Sequence, residues 1–441
     1  MNISLPRVLI FGQPFNNSHG GGITLSNLFK GWERDRIAVA ATGHMMAGVT
    51  TDICDNYYQL GSDEFRWNFP FNLIQRKFRS GQLSFSTNPG SANVKNKRSL
   101  RYALVNKVFY PVLEWLGLFY AISKIRFSSG FKNWLDAFNP DIIYIQVSTR
   151  EGILFASEII EYLKIPSVIH IMDDWPSTIS NRGLFRKFWH KKIDIEFRNL
   201  LEQIDLNLSI SEAMSAEYMK RYNKEFLPFH NPIDIDLWLP NQKKNYSFVG
   251  KEHISLLFSG RIGIGISTSL LEIASAVELL QNRNSKLRLY IQSTTRDHPV
   301  LQKLREYPFV IINPPAEYSE IPSIFSDADM LLLANDFNDS AIDYLRLSMP
   351  TKASEYMISG TPVIVYSPEE TAVSSYFRKN GCGHCVTTNQ ADQIASEIEV
   401  MLNDEQYRRK IASKAISLAA EQFDGEKVRH HFQQQLIRIM H

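Results

Sequence analysis

A chain of 441 residues is too long to close over one hydrophobic core, so two domains are expected. Its 44% hydrophobic and 21% charged content is that of a folded globular protein and excludes a disordered one. A net charge of +2 is too small for a dedicated nucleic-acid binder, and three cysteines cannot build a disulfide framework.

Arg7 to Gly12 (RVLIFG) reads as a buried strand ending at a glycine. Its short apolar run is a first strand rather than a signal peptide, and no window reaches the ~18 apolar residues of a spanning helix. The expectation is a protein that is cytoplasmic, or peripheral to the inner face of the plasma membrane. A polar loop from Gln13 to His19 leads to Gly20-Gly21-Gly22 and a helix with Ile23, Leu25, Leu28, Phe29 and Trp32 at helical spacing. Strand, glycine loop and helix is the arrangement in which backbone N–H groups approach a phosphate. Ile37–Ala41 is a second strand.

From Phe65 to Lys132 the chain carries 12 Lys and Arg against one acid, Glu114. The segment mixes these with aromatic and aliphatic residues. Two readings compete: a basic amphipathic surface lying in a membrane interface, and a solvated basic face over an ordinary core. No zinc knuckle, RNP sequence or helix-turn-helix pattern supports nucleic acid as a partner.

Regular alternation resumes at Asp141. IIYIQV, SVIHIM and LNLSIS read as strands, and EGILFASEIIEYLKI, Arg186–Ile204 and EAMSAEYMKRY as helices. FLPFHNPIDIDLWLPNQKKN, with three prolines and a polar end, reads as a linker. A second unit opens with the strand ISLLFSG and the glycine loop Gly260-Arg261-Ile262-Gly263-Ile264-Gly265. A helix (LLEIASAVELL), strands LRLYIQS and FVIIN, a short helix IPSIFSDA and the strand DMLLLAN follow. Leu345–Tyr366 then predicts loop, helix, turn and strand. Pro350 suits a first turn, Thr351 or Ser348 a cap, and Gly360 a left-handed stop. Lys352 and Glu355, three apart, share a helical face. Together with the helix N-terminus they suit a ligand bearing phosphates and hydroxyls; the alternative is an ordinary surface ion pair. Cys382-Gly-His-Cys385 lacks the second pair a structural zinc site needs. It reads as a glycine-rich turn, followed by two amphipathic helices and a basic, His-rich last helix.

The fold class is therefore α/β, with two doubly wound Rossmann-like domains facing across a cleft. The expected boundaries are 1–235 for the first, with 65–135 as a basic aromatic insertion, and 245–424 for the second. The last helix, 425–441, is expected to cross back to the first domain.

The order of motifs resembles a GT-B glycosyltransferase, in particular the retaining family four of bacterial surface-polysaccharide type. The residues that carry it are Gly20-Gly21-Gly22 with NLFKGW, HIMDDWP, SISEAM, HNPIDIDLW, FSGRIG and PTKASEYMISGTPVI. The resemblance implies that Glu355 accepts hydrogen bonds from the ribose hydroxyls of a nucleotide-diphosphate sugar. It implies that Arg261, Lys352 and the N–H groups of Gly21 and Gly22 hold the diphosphate. Three departures stand out. Leu347 occupies the place of a partner glutamate, no lysine follows Arg261 in its loop, and Met172 replaces an acceptor-side histidine. Asp173 and His170 are the remaining catalytic candidates. Base recognition is expected near Ile291–Arg296.

The implied reaction is retaining transfer to a hydroxyl of a glycan or lipid-linked acceptor, with no metal or other cofactor, in polysaccharide synthesis. Alternatives are a non-catalytic glycan- or nucleotide-binding subunit and a nucleotide-sugar epimerase. Asp327-Ala-Asp329 reads as a helix end rather than a metal motif.

Overall fold

The computed structural model describes residues 5–17, 20–85, 108–179, 183–283 and 285–441. Ser18 and His19 of the expected polar loop, and the basic residues from Lys95 to Lys107, lie outside the described residues. The chain forms two compact units, one of residues 1–228 with 431–441 and one of residues 229–430.

In the first unit, strands β1 (Val8–Phe11), β2 (Ile37–Thr42), β3 (Tyr57–Leu60), β5 (Gly81–Gln82), β7 (Ile142–Ile145), β8 (Ser167–Ile171), β9 (Leu206–Ser209) and β10 (Leu227–Pro228) form one sheet. Its order is β10-β9-β8-β7-β1-β2-β3-β5. All pairings are parallel except β3 with β5. The central strands are buried along their whole length, as their unbroken apolar runs require. A two-stranded ribbon of β4 (Phe65–Trp67) and β6 (Ser123–Ile125) stands apart. Near the end of the chain, Phe432 packs its ring against Phe29 and Tyr144 within this unit.

The second unit holds β11 (Ile254–Ser259), β12 (Leu287–Gln292), β13 (Val310–Asn313), β14 (Met330–Ala334), β15 (Val363–Tyr366) and β16 (His384–Val386). The order β13-β12-β11-β14-β15-β16 is wholly parallel. Its direction reverses between β11 and β14, the switch point where open α/β sheets leave a crevice outside the strand ends. The core on one face is built by helix Thr268–Asn282 with Leu256, Leu289 and Leu332. On the other face Phe325, Tyr356 and Met357 pack against Leu331 and Val363.

Several elements were not expected. Helices Asp339–Leu345 and Ala372–Asn380 flank the Leu345–Tyr366 stretch. They are capped by Asn338 and Thr371, which accept from the N–H groups of Ala341 and Ser374. Cys385 lies in β16 rather than in a turn. In the first unit β3 continues the parallel order after β2. The expected linker is not free chain, because Gln242 donates to Ile358 O (3.0 Å) and the Lys243 N–H to Ser359 O (2.9 Å). Among the described residues no helix is long and apolar enough to cross a membrane.

Candidate active site

Helix Lys352–Ser359 follows β14 and leads into β15, so its N-terminus lies at the carboxyl end of the second sheet. Every residue from Ala353 to Ser359 is buried, so the helix is enclosed all round. Gly360 takes the left-handed conformation (φ 74°) that ends it. The expected cap is absent: Thr351 is already helical and its side chain caps nothing. The first turn is held from outside instead. Asn231 donates to Thr351 O (3.5 Å), and the Ser354 hydroxyl donates to Asn231 O (3.1 Å).

Enclosure explains what becomes of Glu355. Its carboxylate is 2% exposed, and a buried charge must be paired. Lys352 Nζ donates to Oε2 at 2.8 Å and Tyr318 OH to Oε1 at 3.3 Å. Lys352 also stands 5.4 Å from the Phe325 ring centroid. The i,i+3 pair exists, but it is not a surface pair, since one partner is in the interior. Leu347 is buried as well. Tyr318 escaped the sequence reading. Its only signal there was an aromatic residue in the proline-bearing loop after a strand.

The glycine loop after β11 is fastened to its neighbours. Tyr356 OH accepts from the Ser259 N–H (2.9 Å) and donates to Ser259 O (3.2 Å), tying helix Lys352–Ser359 to the end of β11. Burial raises the Tyr356 phenol above its ordinary pKa, so it stays a donor. Thr295 binds both the N–H and the carbonyl of Ile262, at 3.1 and 3.2 Å. This uses the hydroxyl of one residue in the stretch expected to read the base. Asp336, just beyond β14, accepts from the N–H groups of Ser267 (2.9 Å) and Ser269 (2.8 Å). Burial alone would raise its pKa, but these hydrogen bonds outweigh it and hold the carboxyl below the usual range. Arg261 sits in this braced loop at the switch point. It is exposed and makes no hydrogen bond or ion pair with the described residues. A guanidinium held on rigid backbone with its fork open is suited to a phosphate.

Both ring nitrogens of His230 are buried with no hydrogen-bond partner among the described residues, and its ring centroid lies 4.8 Å from that of Phe423. Burial pushes its pKa down to about 4, so it is neutral at physiological pH.

In the first unit Gly20, Gly21 and Gly22 are the opening residues of helix Gly20–Leu28, not a loop before it. Their N–H groups belong to a first turn, which lacks intrahelical acceptors. A Cβ on Gly22 would lie 1.9 Å from Asn16 Nδ2, so glycine is required here by the protein's own packing. The Asp173-Asp174 pair is divided. Asp174 is fully buried and receives Tyr218 OH (2.9 Å) and both terminal nitrogens of Arg221 (2.8 and 2.9 Å). Asp173 is exposed just past β8. His170 is 1% exposed within β8, and its Nδ1 lies 2.5 Å from Tyr144 OH, beneath the central strands. That position is interior, as for an ordinary core histidine, one residue before the carboxyl end of β8.

Burial pushes the thiols of Cys382 and Cys385 up to about 12 and about 11, so both are protonated and unreactive at neutral pH. Asp329 is engaged by Lys251 and by the Ser255 N–H (2.9 Å). No group of three or more His, Cys, Asp or Glu suited to a metal ion occurs among the described residues.

Residues 309–418, which contain Tyr318, Lys352 and Glu355, match the family of glycosyl transferases group 1. Solved structures of similar architecture cover nearly the whole chain. The HepE protein of Anabaena, in complex with UDP and glucose, aligns with a TM-score of 0.61 at 13% identity, over 98% of this chain and 99% of that one. Sucrose-phosphate synthase of Thermosynechococcus elongatus aligns at 0.59 and 10%, over 98% of each. A glycosyltransferase of Rickettsia africae aligns at 0.59 and 11%, over 99% of each. No curated protein matches the sequence. The fold is GT-B, and the matched domain makes the chain an enzyme of the glycosyltransferase class.

Proposed function

We propose that the enzyme moves a sugar from a nucleotide-diphosphate sugar to a hydroxyl of a glycan or lipid-linked acceptor, with retention of anomeric configuration, in the synthesis of a surface polysaccharide. The observation that carries this reading is the buried Glu355 carboxylate held between Tyr318 and Lys352, together with the unengaged Arg261, both at carboxyl ends of one parallel sheet. Glu355 has lone pairs left on each oxygen and accepts the ribose hydroxyls. Arg261 binds the diphosphate, and Lys352, held by Glu355, adds a second cation. The sugar–phosphate C–O bond breaks toward the diphosphate, whose new charge these cations meet with little reorganisation. Because fixed cations meet that charge, no metal is required. The N–H groups of Gly21 and Gly22 face an anion, and Asp173 orients the acceptor hydroxyl. Retention and the polysaccharide role rest on the resemblance of PTKASEYMISGTPVI. The complex of HepE with UDP and glucose supports the donor class. The reading places the enzyme in the cytoplasm against an anionic membrane surface.

A thermal-shift screen of nucleoside diphosphates and their sugars tests it. A ligand at 100 times its Kd adds about 2.7 kcal/mol of stability. The expected result is a rise in Tm with one nucleoside diphosphate that is lost in Glu355→Ala. No shift with any of them would reject the donor site. Donor incubated without acceptor must remain unchanged; its isomerisation would identify an epimerase instead.

A further inference from the structure

The first unit carries a surface that the donor chemistry does not use. It is assembled from three segments far apart in sequence. Leu184 N donates to Trp115 O (2.8 Å), and the Asn68 N–H and side chain donate to Ile122 O and Ala121 O (both 2.8 Å). Residues 68–74, 108–122 and 183–191 are thus one continuous face. Large apolar side chains stand outward on all three: Phe69 is 79% exposed, Leu184 62% and Trp115 54%, with Leu73, Phe185 and Phe188 alike. Singly exposed apolar residues are ordinary, but a contiguous group of aromatic and leucine side chains marks an interaction surface.

Basic charge dominates this face, with the half-buried Glu114 as the exception. Arg186, Lys187 and Lys191 are exposed in the opening turns of helix Arg186–Leu201, interleaved with Phe185 and Phe188, and Arg76 and Lys77 are exposed beside Leu73. Wedges of Phe, Leu and Trp ringed by Lys and Arg match the two layers of an anionic bilayer surface, acyl chains below phosphate headgroups. A protein partner would require polar groups in register with the apolar ones, whereas a bilayer needs only this layering.

We infer that this face docks the enzyme on an anionic membrane, with Leu184–Lys191 as a wedge that acts together with residues 68–74 and 108–122. The inference deepens the reading of a membrane-borne acceptor and names the surface through which it is reached.

Flotation with vesicles tests it without donor or acceptor, so its outcome is independent of the nucleotide screen. The full chain should float with phosphatidylglycerol-containing vesicles and not with pure phosphatidylcholine. Leu184→Ser/Phe185→Ser/Phe188→Ser should lower binding at least tenfold while the nucleotide-induced thermal shift, which also reports folding, is unchanged. Arg186→Gln/Lys187→Gln/Lys191→Gln should weaken binding and flatten its salt dependence, because those charges are screened beyond ~10 Å at 0.1 M salt. Failure of the wild-type protein to float, or equal binding by the serine variant, would overturn the inference. So would a wild-type dimer in solution that the serine variant abolishes, since the face would then belong to a second copy.

Discussion

The two sheets treat their switch-point mouths differently. In the second unit the mouth is charged and braced: Glu355 is buried between Lys352 and Tyr318, Tyr356 and Asp336 lock the neighbouring backbone, and Arg261 is left open. In the first unit Asn16 fills the space beside Gly22, Asp174 is consumed by Arg221 and Tyr218, and Asp173 is exposed. Under the proposed function the charged, braced mouth takes the diphosphate and ribose of the donor, and the first unit's mouth takes the acceptor.

The largest expected effect tests the structural side of this contrast. Asp174→Ala leaves Arg221 largely buried without its main partner and should cost about 3–5 kcal/mol, read by urea unfolding. A loss below about 1 kcal/mol would show that the Asp174–Arg221 pair does not brace the first unit. Next comes pH. His230 has a pKa of about 4 when folded and an ordinary one near 6.5 when unfolded. Its contribution is complete above pH ~6.5 and is lost as pH falls toward 4, because the unfolded chain takes up the proton first. The loss amounts to roughly 3 kcal/mol, and a His230→Phe variant should show a flatter stability profile over that range. If its profile matches the wild type, the histidine is not held neutral.

Glu355→Ala should then reduce kcat/KM for the donor by about 100-fold, equivalent to about 2.7 kcal/mol, with a smaller effect from Arg261→Lys, which keeps the charge but loses the fork. Should Asp173→Asn prove the more damaging for donor KM, the roles assigned to the two mouths would be reversed. Tyr356→Phe removes one buried hydroxyl and should cost about 1 kcal/mol of stability. The smallest effect is expected for Tyr318→Phe, whose 3.3 Å bond is long: donor KM rises a few-fold and kcat holds.

Much of the fold could be read in the sequence because the strands are buried on both faces. ISLLFS, LRLYIQ, MLLLA and VIVY announce themselves as apolar runs, and glycines and prolines punctuate them. β16 and β3 were not readable in this way, since HCV and YYQL are too short or too polar to show a period. The short helices around Leu345–Tyr366 were hidden by their length, with only their Asn338 and Thr371 caps as a signal.

For the site, the sequence by itself determined which residue types stand after which strands: Arg261 after β11, Lys352 and Glu355 between β14 and β15, Asp173 after β8. That much follows from connectivity, because a parallel sheet sends every strand's successor loop to the same edge. Only the tertiary structure decided which of those groups is spent on the protein itself. Asp174 and Asp173 are chemically identical neighbours, yet burial against Arg221 claims one and exposes the other. His170 is absorbed into the core by Tyr144. Glu355 is neither a free clamp nor a surface ion pair, because the helix that bears it is buried all round and a carboxylate there must be matched by Lys352 and Tyr318. Burial and pairing depend on residues far apart in sequence, and local patterning carries no record of them.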